Sequence, residues 1–240
     1  MRSYTRHQLK QDAFAASTAE TISWAVERRS QLIAAGVVVV IILALLVGGW
    51  TWITYRDQEA SGDLAKAIEK YSAPIRPPGT PATPDVQSYG SVQERAKDTN
   101  VEFTRIADKY KFTQSSQLAR YFAGVTYREL GNDSAAEKDL QEVAGSRYPE
   151  VASLAKMALA AIYHETSRNL QAVDVYKQLI DHPTVSVGKT TAQIALASLY
   201  ESMSRPDDAR HLYEQIQKES PSTAAAQVAG EKLQALSKQQ

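Results

Sequence analysis

Histidine is the scarcest side chain here that could bind metal or move protons: His7, His164, His182 and His211 are the four in the chain. No two of them have metal-ligand spacing, and His164-Glu165 lacks the second histidine that a zinc-binding helix places one turn on. With no cysteine there is no thiolate nucleophile and no disulfide framework. No glycine-rich phosphate loop and no serine nucleophile elbow occurs. Asp and Glu are spread along helical faces as solubilising charges. The expectation is a protein with no catalytic residues, no cofactor and no metal. His164, one residue after a tyrosine on a helix edge, reads as a surface or groove polar residue.

The residues that do recur are small and aromatic. Gly124-x2-Tyr127, Ala160-x2-Tyr163 and Ala197-x2-Tyr200 each put a small residue three before a tyrosine, and the tyrosines lie 36 and 37 apart. Nine residues after each comes Ala136, Ala172 or Ala209. Four further on stands Leu140, Tyr176 or Tyr213, and Pro149, Pro183 and Pro221 close the units. Two helices that cross closely need small residues at the crossing: Gly124 against Ala136, Ala160 against Ala172, Ala197 against Ala209. The aromatic fills the gap beside it. Gly131-Asn132 ends the first helix of unit one, since both tolerate a left-handed backbone. Ser204-Arg205-Pro206-Asp207-Asp208 starts a second helix, with Pro in its first turn and acids at the positive dipole end.

Around this array, residues 32–53 hold no charge. As a helix they extend about 33 Å at about 1.5 Å per residue, enough to span a hydrocarbon core of about 30 Å. Arg28 and Arg29 flank one end; Trp50, Trp52, Tyr55 and Arg56 flank the other. A core helix is rarely apolar on every face for so long, and a signal peptide ends in small residues rather than bulky Trp. The span is read as an uncleaved anchor through the lipid bilayer. Residues 1–31 carry five basic against three acidic residues, residues 56–240 carry 22 against 24. Positive-inside logic then keeps a head, 1–31, in the cytoplasm and exports a domain, 56–240. Within the head, residues 12–29 are either a helix on the membrane surface or a solvated tail. Ala44 and Gly48 form one small-xxx-small pair, a spacing that chance also produces in such a run. The whole chain is neutral, which gives no field for nucleic acid.

Residues 57–73 read as a helix with Leu64, Ile68 and Tyr71 on one stripe. Residues 74–90 carry five prolines and are expected to be a flexible loop. Helix resumes at about 91–110 with Val92, Ala96, Val101, Phe103 and Ile106 as the apolar signal. These two helices fit a degenerate first hairpin with the Pro-rich loop inserted. The segment 222–237, with Val228, Leu233 and Leu236, reads as a capping helix.

The repeated pattern resembles the tetratricopeptide repeat, small-x2-Tyr followed by Ala-x3-aromatic and Pro, at a period slightly above 34 and without its first-helix Trp. The fold class is therefore all-α: one N-terminal transmembrane helix, then a tetratricopeptide α-solenoid of three to four hairpins with a C-terminal cap helix. The resemblance implies that the first helices line a protein-binding groove. Counting from the tyrosines, its residues are Leu118, Tyr121, Val125 and Arg128, then Leu154, Met157, Ala161 and His164, then Thr191, Ile194, Ser198 and Glu201. Where some relatives grip a carboxylate with Lys, Asn and Arg, this chain has Tyr121, Val125, Met157 and Ile194. An apolar groove with a polar end suits an amphipathic helix or an unfolded segment. The same residues also have a plainer reading as partial packing against neighbouring helices.

The order of parts, with TRHQLKQDAFAAS, Trp24 and Arg28-Arg29 before a span ending Gly48-Gly49-Trp50-x-Trp52, looks like the YfgM-like tetratricopeptide proteins, ancillary subunits of the SecYEG translocon. That resemblance implies an inner-membrane protein facing the periplasm. Its partners would be the Sec translocon, a membrane-anchored periplasmic chaperone and translocating polypeptides. A scaffold for envelope assembly or cell division is the alternative in a second class.

Overall fold

A computed structural model of the chain describes residues 28–81 and 87–238. The readings made for the head, His7 included, lie outside the described residues up to position 27. The chain divides into two compact units, Met1–Thr54 and Tyr55–Gln240.

Among the described residues the structure is all-helical. Helix α1 covers Arg29–Tyr71, 43 residues in one run. In the first unit it is the one described helix long and apolar enough to cross a membrane. Its apolar side chains stand uncovered, from Ile42 at 51% to Leu45 at 71% exposure, so none of the described residues covers this stretch as core.

In the second unit, α1 buries Ala60, Leu64 and Ala67, spaced four and three apart on one face. Eight helices follow: α2 (Val92–Lys109), α3 (Gln114–Glu129), α4 (Asp133–Ala144), α5 (Pro149–Glu165), α6 (Asn169–Asp181), α7 (Lys189–Ser202), α8 (Pro206–Glu219) and α9 (Ala224–Ser237). Each from α2 onward packs on the next, while α3 also touches α5 and α7 touches α9. The result is hairpins α3–α4, α5–α6 and α7–α8, with α9 closing the array.

Local sequence explains the helix starts. Ser91, Thr113, Asn132 and Thr223 accept from the backbone N–H of Glu94, Ser116, Ala135 and Ala226. Pro149 and Pro206 occupy first helical positions, where the missing N–H costs nothing. The three hairpin turns are copies of one another. In each, the residue five after the tyrosine donates its N–H to the tyrosine carbonyl: Asn132 to Tyr127 at 2.9 Å, Arg168 to Tyr163 at 2.7 Å, Arg205 to Tyr200 at 2.9 Å. The residue before the donor is left-handed every time: Gly131 (φ 73°), Ser167 (φ 61°) and Ser204 (φ 57°).

Three expectations need correction. Val101 is 65% exposed; the buried face of α2 is Ala96, Thr99, Asn100, Phe103, Ile106 and Ala107, and position 101 is out of phase with it. Val228 is likewise exposed, with Ala226, Ala229 and Leu236 turned inward on α9. The Pro-rich loop is pinned at both ends rather than free throughout. Arg76 N donates to Tyr89 O at 2.8 Å and Tyr89 N to Pro74 O at 3.1 Å. The buried Tyr89 hydroxyl donates to Asp98 at 2.6 Å, and burial together with that carboxylate pushes its pKa up to about 12.

Candidate protein-binding face

The positions three before each tyrosine and nine after it sit where helices meet. Ala136, Ala160, Ala172, Ala197 and Ala209 are fully covered. A Cβ on Gly124 would lie 2.7 Å from Leu140 Cγ and 3.4 Å from the Ala136 carbonyl oxygen. Tyr163 and Tyr200 are buried; Tyr127 is half-buried against the same core. Arg168 and Arg205 lie over the Tyr163 and Tyr200 rings, each 4.6 Å from the centroid.

The first helices α3, α5 and α7 carry the groove positions. Leu118, Tyr121, Leu154, Met157 and Ile194 are half-buried, each with one side against the core. Val125 and Ala161 are half-buried too; Thr191, His164 and Ser198 are exposed. The Tyr121 ring stands edge-on to Phe122 at 5.3 Å, and burial raises its hydroxyl pKa. What these helices present is a discontinuous apolar stripe of seven side chains, partly sunk into the array. Such side chains can accept an apolar partner without first leaving the core.

The polar end is more occupied than the sequence suggests. Arg128 forms a two-pronged ion pair with Glu165, its Nε donating to Oε2 at 3.1 Å. That ties α3 to the end of α5, because residues at equivalent heights on adjacent first helices face one another. Glu201 accepts from the Tyr213 hydroxyl at 2.5 Å and from Lys232 Nζ at 3.4 Å. Burial and this carboxylate raise the Tyr213 pKa. His164 Nδ1 lies 2.9 Å from Asn169 Oδ1. Arg128 and Glu201 are engaged inside the fold, and the half-buried apolar side chains form the stripe, with the exposed polar His164, Thr191 and Ser198 beside it. Among the described residues no three His, Asp or Glu side chains converge to hold a metal ion.

Sequence reasoning missed the structural serines. Ser167 and Ser204 stand four residues after their tyrosines, as Gly131 does after Tyr127. That shared offset was the available signal.

With this geometry in hand, the comparison with known families is decisive. The tetratricopeptide repeat-like domain matches residues 22–238. The chain belongs to that family, and its fold is a protein-interaction scaffold. No curated protein matches the chain. No solved structure matches it either.

Proposed function

We propose that this is a membrane-anchored protein-binding module, held by residues 32–53 in a bacterial inner membrane. The head, 1–31, lies in the cytoplasm and the domain, 56–240, in the periplasm. It serves as an accessory, chaperone-like subunit at the Sec translocon, as its resemblance to the YfgM-like proteins implies. There it contacts emerging polypeptides or a membrane-anchored periplasmic chaperone. The observation that carries the binding role is the half-buried stripe Tyr121, Val125, Met157 and Ile194 on first helices whose groove charges Arg128 and Glu201 are already paired. The topology rests on Arg28-Arg29 beside the uncovered apolar stretch of α1.

Binding through such a stripe is weak, tolerant of sequence and little affected by salt, because apolar burial drives it. Replacing Tyr121 and Met157 together by Ser is expected to weaken binding of an unfolded client to the full-length protein in detergent, with the helical circular dichroism kept. A folded double variant that binds as well as wild type removes the stripe from the account. A reporter active only in the periplasm, fused after Gln240, is expected to be active. An inactive fusion, or a mature N-terminus beyond residue 50, contradicts the topology. Co-purification with the translocon in mild detergent supports this reading; recovery of one fixed envelope partner without it supports a scaffold instead.

A further inference from the structure

A second surface lies away from the stripe, where the loops that lead into α3 and α5 come together. It is a cleft of about 510 Å³, and Lys111, Phe112, Gln117, Arg147 and Tyr148 are among its walls. Phe112 sits in the four-residue connection between α2 and α3 with φ at 71°. A tight turn of this kind suits glycine, and a bulky residue there is an outlier that the surrounding structure must hold in place. Two bonds do so: Arg147 Nη2 donates to the Phe112 carbonyl at 2.9 Å, and the Tyr148 hydroxyl donates to it at 3.1 Å. Yet the ring is 70% exposed and adds nothing to the core. The chain keeps an aromatic side chain, in an unfavourable backbone conformation, pointing at solvent beside a cleft.

The polar groups around it are also incomplete. Lys111 has no hydrogen-bond or ion-pair partner, and the Arg147 guanidinium, 5.1 Å from the centroid of the Tyr148 ring, bonds only neutral oxygens and has no carboxylate partner. Gln117 Oε1 is buried without a hydrogen-bond donor. The third cation in the lining, Arg120, is spent on Asp108, Asp139 and Glu142. An unpaired ammonium, a guanidinium with no carboxylate partner and an exposed ring describe one kind of occupant. We infer that this cleft binds an extended acidic polypeptide segment, with carboxylates at Lys111 and Arg147 and an apolar side chain on Phe112. Two cations without a carboxylate partner are enough for a pair of carboxylates but short of the row of cations that tracks a phosphate backbone, which speaks against a nucleic-acid strand in the same place.

The test uses the full-length protein in non-ionic detergent and a fluorescent ten-residue peptide rich in Asp and Glu around one Phe. Saturable binding is expected, weakened by salt, in contrast to the stripe. Lys111→Glu is expected to weaken it about tenfold, a loss typical of a reversed interfacial charge. Lys111 bonds nothing in the fold, so that variant folds normally. Phe112→Gly is expected to weaken binding several-fold while raising the melting temperature, because glycine takes φ near +70° without strain. The Tyr121→Ser, Met157→Ser variant is expected to bind the peptide as wild type does. The inference is overturned if wild type shows no saturable binding or binds an Asn/Gln version of the peptide equally. It is also overturned if both cleft variants keep full affinity or if the stripe variant alone loses it. A single-stranded oligonucleotide that competes with the peptide would overturn the choice of occupant.

Discussion

From α3 to α8, helices meet on alanine at repeating positions; between α1, α2 and α3, buried alanines share the contact with stacked rings and paired polar groups. In the array, Ala136, Ala160, Ala172, Ala197 and Ala209 are completely covered, and one turn geometry recurs three times. In the N-terminal junction, Phe103 stacks on Phe122 at 5.0 Å, and Tyr71 packs against both at 6.0 and 5.8 Å. The Tyr71 hydroxyl donates to Glu129 at 2.6 Å, and Tyr110 donates to Asp63 at 2.9 Å. Arg56 donates to the carbonyl of Lys109 at the end of α2, and Asp57 accepts from Ser115 N at the start of α3 at 2.9 Å. Both charges sit at the helix end whose dipole favours them. Buried Asn100 donates to Ala123 O at 3.1 Å and Thr126 Oγ1 at 2.9 Å. An array joins like to like, so one small-residue rule serves every crossing. The junction fastens α1, whose sequence lacks the small-x2-Tyr pattern of the later units, and unlike pairs with specific partners fix it in one register.

The contrast can be broken at its largest point by Phe103→Ala. Removing a fully buried ring at the centre of the stack is expected to cost about 3–5 kcal/mol. Hydrogen exchange on the full-length protein is expected to show protection lost in residues 57–129 and kept in 149–219. Uniform loss would mean that junction and array unfold as one. Next comes Ala160→Leu, which forces volume into a covered crossing and is expected to cost about 1–3 kcal/mol, exposing α5 and α6 first. An unchanged melt would show that Ala160 is not at a crossing. Smaller and of opposite sign is Ser204→Gly. It relieves a left-handed serine, a conformation that costs about 1–2 kcal/mol, against the greater freedom of glycine in the unfolded chain. A net gain of about 0.5–1 kcal/mol is expected, and a loss would contradict the turn reading.

The smallest effect concerns Glu137 on α4, which bonds Arg168 in the turn of the next hairpin at 2.6 and 2.8 Å. That guanidinium lowers the Glu137 pKa from 4.5. The stabilisation is therefore complete above the ordinary value and disappears as pH falls through the lowered one. Glu137→Gln is expected to melt slightly below wild type at pH 7, with the gap narrowing as pH falls below 4.5. A gap that persists in acid would assign its effect to packing.

The array was legible because its signals are periodic. Small residues and tyrosines at fixed offsets placed Gly124, Ala160 and Ala197 at the crossings, and Pro206 with Asp207 and Asp208 marked one helix start. The junction was not, since its key contacts join residues far apart in sequence with no repeat to announce them. Phe122 follows Tyr121 directly, and nothing local says that one turns to the stack while the other turns to the stripe. Asn100 was hidden by its polarity, while Val101 beside it drew the apolar assignment. Arg128 looked like a free groove cation because Glu165 lies 37 positions away.

The central claim is that polypeptide is met on the first-helix stripe. Site-specific photo-crosslinking in intact membranes addresses it most directly, with the photoreactive residue placed in turn at Tyr121, Met157, Asp174 and Lys177 of the full-length protein. Asp174 and Lys177 are exposed on the second helix α6 and serve as controls. Protein adducts from positions 121 and 157, with 174 and 177 at background, are the expected result. Equal labelling at all four positions, or adducts from α6 alone, would contradict the account.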